Sequence, residues 1–333
     1  KGNDGISLAM SLEPHKWAVV STMKAPTKDI LNYAAHYLNL GAAQLYLFLD
    51  VPDPQAQKHL DQHQNIHVVT TDPDYWQARG RAPQTVERRQ IENIKSAIEY
   101  ARDDNIAWLG HFDSDEFLHV PSHANVGMRL ARLDADVMCA RALPVEYLVP
   151  DQPDYRGPDQ FKRLATPFAR RRQISMRAYP EFGAQVSGGF LSHQVGKSFF
   201  RIVPEAMTPR IHFCDYPTHD DTKIKTLAHL DLAHYHTDTW DKFYQKYTER
   251  RKTGSYRKEI SGGKTYHTER QSLHDILAEL EQNEGITGLK RLHRELCVAT
   301  PEMVARLEQY DLYRLYQFNF DKNRTKYFPQ FSI

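Results

Sequence analysis

Three carboxylates, Asp113, Asp115 and Glu116, stand within four positions directly after the short apolar run 108–112. An apolar run of this length that stops at acidic residues is typical of a buried strand whose carboxyl end opens onto a crevice. Open α/β sheets bind their ligands at this edge. On extended backbone Asp113 and Asp115 would point to the same side, because they are two positions apart.

Two like charges held this close need a cation between them, or one of them must stay protonated. A hard divalent ion with oxygen ligands is the natural partner of Asp113 and Asp115. The stretch is not an EF-hand calcium loop, since the third Asp or Asn, the glycine and the terminal glutamate of that loop are missing. The alternative is an ordinary strand-to-loop turn with helix-capping acids, and spacing alone leaves both possibilities open.

The run Asp113-Ser114-Asp115-Glu116-Phe117-Leu118, after an apolar strand that contains Trp108, resembles the DxD-E-F-L signature of family-2-like glycosyltransferases and of the related family 92. Both groups have the GT-A fold, and the resemblance covers roughly residues 17 to 250. It implies that Asp113, Ser114 and Asp115 hold Mn²⁺ or Mg²⁺ against the diphosphate of a nucleotide-sugar, with a UDP-sugar favoured.

The elements that must position these acids follow an α/β pattern. Apolar runs predict strands at 17–22, 44–50, 66–71, 136–142, 197–203 and 210–214, the last two forming a possible hairpin. Helical spacing predicts helices from the N-cap Thr27 to Gly41, from about Val86 to Arg102, and over 126–133. The fold class expected is therefore a GT-A-type, Rossmann-like, mainly parallel mixed sheet flanked by helices, with a C-terminal helical appendage.

The chain is divided in this prediction into three parts. Residues 1–15 form a flexible leader, 16–252 the GT-A glycosyltransferase domain, and 253–333 a lid loop and a helical extension. The extension contains predicted helices at about 268–284, 287–297 and 300–315. The tail from 317 onward has no predicted structure.

The resemblance also implies which residues meet the donor. Thr22 and Lys24 lie on the loop expected to line the nucleoside, and Asp50 is expected to meet the base or ribose. This loop departs from the family, which usually has Asn-Glu where Ala25-Pro26 stands here. The alternative for Asp50 is a solvated turn acid before two prolines.

Arginines near the start of the third predicted helix are candidates for the diphosphate, because the guanidinium group makes bidentate bonds to phosphate oxygens. Arg81 and Arg88 are the main candidates, together with Arg79. For any single one of them, a solvated, charged helix start is the more common explanation.

Two later histidines are candidates for the metal. His234 and His236 are two positions apart on an expected strand, and many GT-A enzymes complete the metal shell with a late histidine. Neutral imidazole is an acceptable ligand for manganese, although carboxylates dominate such sites. The alternative is a hydrogen-bonded structural histidine.

The reaction expected from the resemblance is transfer of a sugar to a hydroxyl acceptor, a glycan or polysaccharide, with inversion. Asp115 and Glu116 belong to the expected catalytic group, with Glu116 orienting the loop or the donor sugar. An inverting enzyme needs a carboxylate base, and the sequence leaves Glu181, Asp231 and Asp215 open. A metal-dependent nucleotidyl- or phosphoryl-transferase, or a non-catalytic carbohydrate-binding protein of the same fold, are the alternatives.

Composition limits the classes further. The chain has 333 residues and a net charge of +1, so no global field draws it to nucleic acid. No apolar run is long enough to span a bilayer. Three scattered cysteines form neither a metal spacing nor a disulfide framework, which fits a reducing cytoplasm, with or without peripheral attachment to a membrane.

Overall fold

The computed structural model describes residues 13–80, 82–122, 124–218, 222–253 and 272–332. The predicted lid at 254–266 and most of the predicted leader lie outside these residues. The chain separates into two compact units. The first unit holds the described residues of Lys1–Leu143, Lys197–Leu230 and Asn319–Ile333, and the second those of Pro144–Gly196 and Asp231–Phe318. The predicted boundary between residues 252 and 253 coincides with none of these divisions.

The strands are numbered in chain order. They are β1 (Trp17–Met23), β2 (Gln44–Leu49), β3 (Ile66–Thr70), β4 (Trp108–His111), β5 (Glu116–His119), β6 (Val137–Pro150), β7 (Asp159–Arg163), β8 (Lys197–Arg201), β9 (Thr208–Pro209), β10 (Cys214–Asp215), β11 (Lys223–His234), β12 (Val298–Ala299) and β13 (Tyr313–Tyr316).

The α-helices are numbered in the same way. They are α1 (Thr27–Asn39), α2 (Pro54–Leu60), α3 (Pro73–Gln77), α4 (Val86–Asp103), α5 (Val126–Ala131), α6 (Arg171–Ala178), α7 (Trp240–Thr253), α8 (Leu273–Cys297, interrupted at Gly285), α9 (Pro301–Gln309) and α10 (Phe320–Tyr327).

The first unit is built on a sheet in the order β3-β2-β1-β4-β8-β6. The first four strands are parallel, whereas β8 is antiparallel to β4 and to the first half of β6. Every residue of β1 is buried, as expected for a continuous apolar run in the middle of a parallel sheet. The carboxyl ends of the four parallel strands consequently share one edge.

Helix α4 packs its apolar stripe against this sheet. Ile94, Ala97, Ile98 and Ala101 are buried in one cluster with Val20 of β1 and other strand residues. Thr85 caps the helix by accepting a hydrogen bond from the Arg88 backbone N–H. The helix therefore has a fixed rotation about its axis, which decides which of its first residues face the sheet edge.

The C-terminal residues return to the first unit. Helix α10 packs on α1, where the Arg324 guanidinium donates to Asn32 Oδ1 at 2.5 Å. The ring of Phe320 packs against that of Phe117 at a tilt of 59°, with ring centroids 4.6 Å apart. These long-range contacts give structure to the tail that had no predicted element.

The second unit contains β7 between the second half of β6 and β13, both antiparallel to it. Helices α6, α7, α8 and α9 surround an apolar cluster that includes Tyr179, Leu292 and Leu307. A fully buried ion pair joins Lys162 to Glu146, with Nζ and Oε1 3.0 Å apart. Lys162 also donates to two backbone carbonyls, so this buried charge has both an ionic partner and hydrogen-bond acceptors within the unit.

Three local predictions are wrong. Pro26, not Thr27, is the N-cap of α1, because Thr27 Oγ1 donates to Asp53 instead. The segments 197–203 and 210–214 form no hairpin, since both edges of β8 are already paired with β4 and β6. The helix predicted over 300–315 ends at Gln309, because Asp311 takes a φ of 55° and the chain turns into β13.

The predicted fold class is confirmed at the level of a mainly parallel mixed α/β sheet flanked by helices, with a C-terminal helical region. None of the helices in the described part of the chain is long and apolar enough to cross a membrane.

Candidate active site

Polar residues lie at or just beyond the ends of three neighbouring strands of the first unit. Thr22 is the next-to-last residue of β1, Asp50 directly follows β2, and Asp113 lies two residues beyond the end of β4. Because β1 lies between the other two and all three are parallel, these residues follow adjacent strand ends. The Asp50 backbone N–H donates to Met23 O at 2.9 Å, which continues the alignment past the end of β2.

The carboxylate segment after β4 forms a tight turn. The Glu116 backbone N–H donates to Asp113 O at 3.0 Å, and the Asp113 N–H donates to Glu116 Oε2 at 2.8 Å. The expectation of extended backbone through Asp113 and Asp115 is therefore wrong, because the chain reverses between β4 and β5. Glu116 is fully buried, whereas Asp113, Ser114 and Asp115 are half-buried. The turn thus presents two carboxylates at its surface and uses the third to hold its own shape.

Lys197, the first residue of β8, supplies a cation to this turn. Its Nζ lies 2.8 Å from Asp113 Oδ2 and 3.9 Å from Glu116 Oε2, and its side chain is fully buried. Burial opposes the charge on Lys197, but the Asp113 and Glu116 carboxylates outweigh it, and the pKa of Lys197 is raised above its usual value. The mutual repulsion of the acids is therefore relieved in part by the chain itself.

His111, the last residue of β4, lies beneath the turn. Its Nδ1 donates to Ile211 O at 3.0 Å, and its Nε2 is 3.8 Å from Asp113 Oδ1. Burial, assisted by the nearby Lys197 charge, lowers the pKa of His111 to about 4. The imidazole is consequently neutral near pH 7, and its buried Nε2 lone pair has no hydrogen-bond partner among the described residues. No sequence pattern pointed to this residue.

Helix α4 supplies one polar side chain to each of the three strand ends. The contacts are Arg89 to both Asp50 oxygens at 2.7 and 2.8 Å, Gln90 Nε2 to Asp113 Oδ1 at 2.7 Å, and Asn93 Nδ2 to Thr22 Oγ1 at 2.8 Å. None of these three was a predicted site residue. Two of them could have been identified from the sequence, since Gln90 and Asn93 are polar residues on the buried face of an amphipathic helix.

A cleft of about 650 Å³ opens at the same edge of the first unit. Lys24, Asp50 and Arg89 bring charge to it, and Trp76, which is otherwise buried, is among its apolar lining residues. The structure thus places the predicted residues Lys24 and Asp50 in one cleft. Arg88 is exposed and is not among its lining residues, and Arg81 lies outside the described residues.

The predicted metal histidines belong to the second unit. His234 and His236 are both buried, and their ring centroids are 5.1 Å apart. The structure adds His193, whose ring centroid is 5.2 Å from that of His234 and which offers a ring nitrogen within 4.8 Å of one of His234. Two imidazoles at this spacing could share one cation. His193 lies in an irregular segment without periodicity, so no sequence pattern pointed to it.

The three candidate bases have different surroundings. Glu181 is exposed and forms an ion pair with Arg291 of α8, beside a second cleft of about 370 Å³. Asp231 accepts a hydrogen bond from the Tyr316 hydroxyl. Asp215 is paired with Arg210 at 3.0 Å, and about half of its side chain is exposed. Their assignment as a base stays a prediction.

The carboxylate turn has a donor set that fits a hard divalent ion. Asp113, Asp115 and Glu116 carry three negative charges and Lys197 one positive charge, which leaves two negative charges. Each carboxylate has about four lone-pair positions, so the contacts with Lys197 and Gln90 leave Asp113 with capacity to bind an ion. The buried, unpartnered Nε2 of His111 is a further possible ligand atom.

No family model and no curated protein matches the sequence. The solved structures that are similar to parts of the chain include two synthetic enzymes. CMP:2-keto-3-deoxy-manno-octonic acid synthetase complexed with CTP matches with 12% identity over 39% of this chain and 53% of that chain, at a TM-score of 0.26. The chain thus spans about half the length of this synthetase.

The second similar structure is 4-diphosphocytidyl-2C-methyl-D-erythritol synthase, with 13% identity over 57% of this chain and 76% of that chain, also at a TM-score of 0.26. At these TM-scores neither likeness carries an argument about activity. The glycosyltransferase assignment therefore remains a resemblance at 108–118.

Proposed function

We propose that the protein is a metal-dependent transferase that binds a nucleotide at the carboxyl edge of the first unit's sheet, and that its donor is a nucleotide-sugar. The observation that supports this is the carboxylate turn Asp113–Glu116, which lies on the same edge as the cleft lined by Asp50 and Arg89. The cleft's volume of about 650 Å³ is in the range of small-ligand sites.

In this proposal Asp113 and Asp115 hold Mn²⁺ or Mg²⁺, and Ser114 lines the same turn. When bound, the ion would neutralise charge that develops on the leaving phosphate oxygens. Glu116 keeps the turn closed, since it accepts the Asp113 N–H. It remains a prediction that His234 or His236 binds the ion. It also remains a prediction that Asp231 or Glu181 takes the acceptor's proton.

The nucleotide is proposed to lie in the cleft. Lys24 and Arg89 offer positive charge to its phosphates, and Asp50 offers acceptors to the base or ribose. Trp76 gives the cleft an apolar wall on which a planar base could stack. The acceptor is proposed to be the hydroxyl group of a carbohydrate.

Nucleotidyl transfer is the second candidate function. It needs the same metal-binding carboxylates and the same nucleotide cleft. The names of the two similar structures agree better with this reaction than with sugar transfer, but their TM-scores of 0.26 give that agreement no weight. Because nucleotidyl transfer starts from a nucleoside triphosphate, triphosphates such as CTP belong among the ligands tested.

Thermal-shift measurements with nucleotide-sugars and nucleoside triphosphates, with and without Mn²⁺, test the proposal. We expect a rise in Tm that requires both nucleotide and Mn²⁺, because a ligand that binds only the folded state stabilises it. Asp115→Ala should abolish this rise, whereas Glu99→Ala, which removes an exposed carboxylate of α4, should not. Metal-dependent nucleotide binding that survives Asp115→Ala unchanged would rule the proposal out.

Product analysis then separates the two reactions. Sugar transfer releases a nucleoside diphosphate, whereas nucleotidyl transfer from a triphosphate releases pyrophosphate. Slow hydrolysis of a nucleotide-sugar without an acceptor would argue against a purely carbohydrate-binding role.

A further inference from the structure

A lysine ammonium is built into the carboxylate turn of the candidate active site. Lys197 Nζ is 2.8 Å from Asp113 Oδ2 and 3.9 Å from Glu116 Oε2, and none of its side chain is exposed. A buried charge is costly unless it is paired, so this ammonium is stabilised by the two carboxylates and they by it. Lys197 lies far from the Asp113–Asp115 motif in the sequence, so neither that motif nor the apolar run before it indicates this cation.

Strand pairing places the ammonium there. β8 runs antiparallel to β4, with Leu109 opposite Phe200 and Gly110 opposite Phe199. The start of β8 therefore meets the end of β4, where the carboxylate turn begins. The register of β4 and β8 therefore determines the position of Lys197, whose side chain is buried.

The ammonium has a consequence for any second cation. A divalent ion at Asp113 and Asp115 would share Asp113 with Lys197, and like charges a few ångströms apart repel strongly in a partly buried site. Lys197 therefore weakens the attraction of the three carboxylates for the ion, whereas the phosphates of a nucleotide, which bring further negative charge and ligand oxygens, would strengthen its binding.

We propose that Lys197 is an internal counter-ion that weakens the binding of a divalent cation to the carboxylate turn alone, so that the cation binds tightly only together with a nucleotide's phosphates. The inference rests on the proposed function, since it concerns the same site. It assigns Lys197 as a positioning residue that couples the binding of metal to the binding of nucleotide.

The test measures Mn²⁺ affinity in the absence of nucleotide, by the electron paramagnetic resonance signal of the free ion. The proteins are the wild type, Lys197→Met, Lys197→Gln and the control Lys95→Met, which removes an exposed lysine paired with Glu92 on α4. Both Lys197 variants are neutral, and glutamine keeps a donor for Asp113. We expect them to bind Mn²⁺ at least about tenfold more tightly than the wild type, with Lys95→Met unchanged.

A folded Lys197 variant that binds Mn²⁺ no more tightly than the wild type would overturn the inference. Either variant could also fail to fold, because its carboxylates lose their partner. Circular dichroism with and without Mn²⁺ then decides: folding restored by Mn²⁺ supports the inference, since the ion replaces the missing charge, and failure of Mn²⁺ to restore either variant contradicts it.

Repeating the wild-type titration with UDP and CDP separates this inference from the proposed function. If nucleotide strengthens Mn²⁺ binding but the neutral variants bind Mn²⁺ no more tightly than the wild type, the proposed function stands and the role of Lys197 is contradicted. Absence of Mn²⁺ binding in every protein, with and without nucleotide, removes the proposed function itself.

Discussion

The rotation of α4 about its axis determines which of two adjacent arginines, Arg88 or Arg89, contacts a residue at the sheet edge. Arg88 is exposed, whereas Arg89 donates to both carboxylate oxygens of Asp50. Arg89→Ala would leave the Asp50 carboxylate, only 9% exposed, without this bidentate partner. We expect a loss of about 2 kcal/mol in the free energy of unfolding, measured by urea denaturation, and weaker nucleotide binding.

Arg88→Ala is the matched control for this change. It alters the neighbouring residue of the same helix turn but removes no ion pair described for the cleft, so its effect should stay within about 0.5 kcal/mol. Equal losses in the two variants would mean that the Arg89–Asp50 pair does not support this edge.

Residue roles could be predicted only in part. The carboxylates after β4 stand out because three of them follow a short apolar run within four positions. Lys197 and Arg89 could not be singled out, because one depends on the register of two distant strands and the other on a rotation of about 100° per helical residue. The prediction named Arg88, one residue away from the arginine that lines the cleft.

At the scale of elements, β4 is held by close contact around Gly110. A Cβ atom added there would lie 2.5 Å from Phe112 Cε2 and 2.9 Å from Phe199 Cε1. Gly110→Ala must therefore push apart two packed rings, and overpacking of this kind typically costs about 1–3 kcal/mol. Because Phe112 leads directly into Asp113, the same change should also weaken Mn²⁺-dependent nucleotide binding.

Urea denaturation and ligand titration check this prediction together. Phe199→Leu in the Gly110→Ala background should recover part of the lost stability, since the smaller side chain relieves one of the two clashes. Gly110→Ala with wild-type stability would show that the rings move aside at no cost.

Elements that depend on local patterns were predictable, and those that depend on pairing were not. The runs that became β1, β2 and β3 are apolar and short, and α4 has a clear amphipathic period. The segments 197–203 and 210–214 look like a hairpin in isolation. Their actual arrangement follows from β4 and β6 occupying both edges of β8, which no local pattern reveals.

At the scale of the whole molecule, the α/β class follows from the alternation of apolar runs and amphipathic helices, but the division into units does not. The first unit gathers three separate parts of the chain, including the C-terminal helix α10. Such a division is set by contacts between residues far apart in sequence, such as Arg324 with Asn32. The predicted boundary at residue 252 follows from the extent of the resemblance and from local helical patterns, and neither contains information about such contacts.

Buried histidines in both units should make the stability of the molecule depend on pH. His36 of the first unit donates from Nε2 to Leu118 O at 3.0 Å, and burial lowers its pKa to about 4. Burial likewise lowers the pKa of His293 in the second unit to about 4. In the unfolded chain both imidazoles would titrate near pH 6.5.

Between pH 6.5 and 4 the unfolded state therefore binds more protons than the native state, and stability must fall as the pH falls. The stabilisation from neutral burial is complete above about pH 6.5 and is lost progressively towards pH 4. We expect a loss on the order of 2 kcal/mol for each histidine, measured by urea denaturation from pH 7.5 to 4.5. His36→Gln, which keeps a donor for Leu118 O, should flatten the slope in this window, and an unchanged slope would show that His36 already titrates as it does in the unfolded chain.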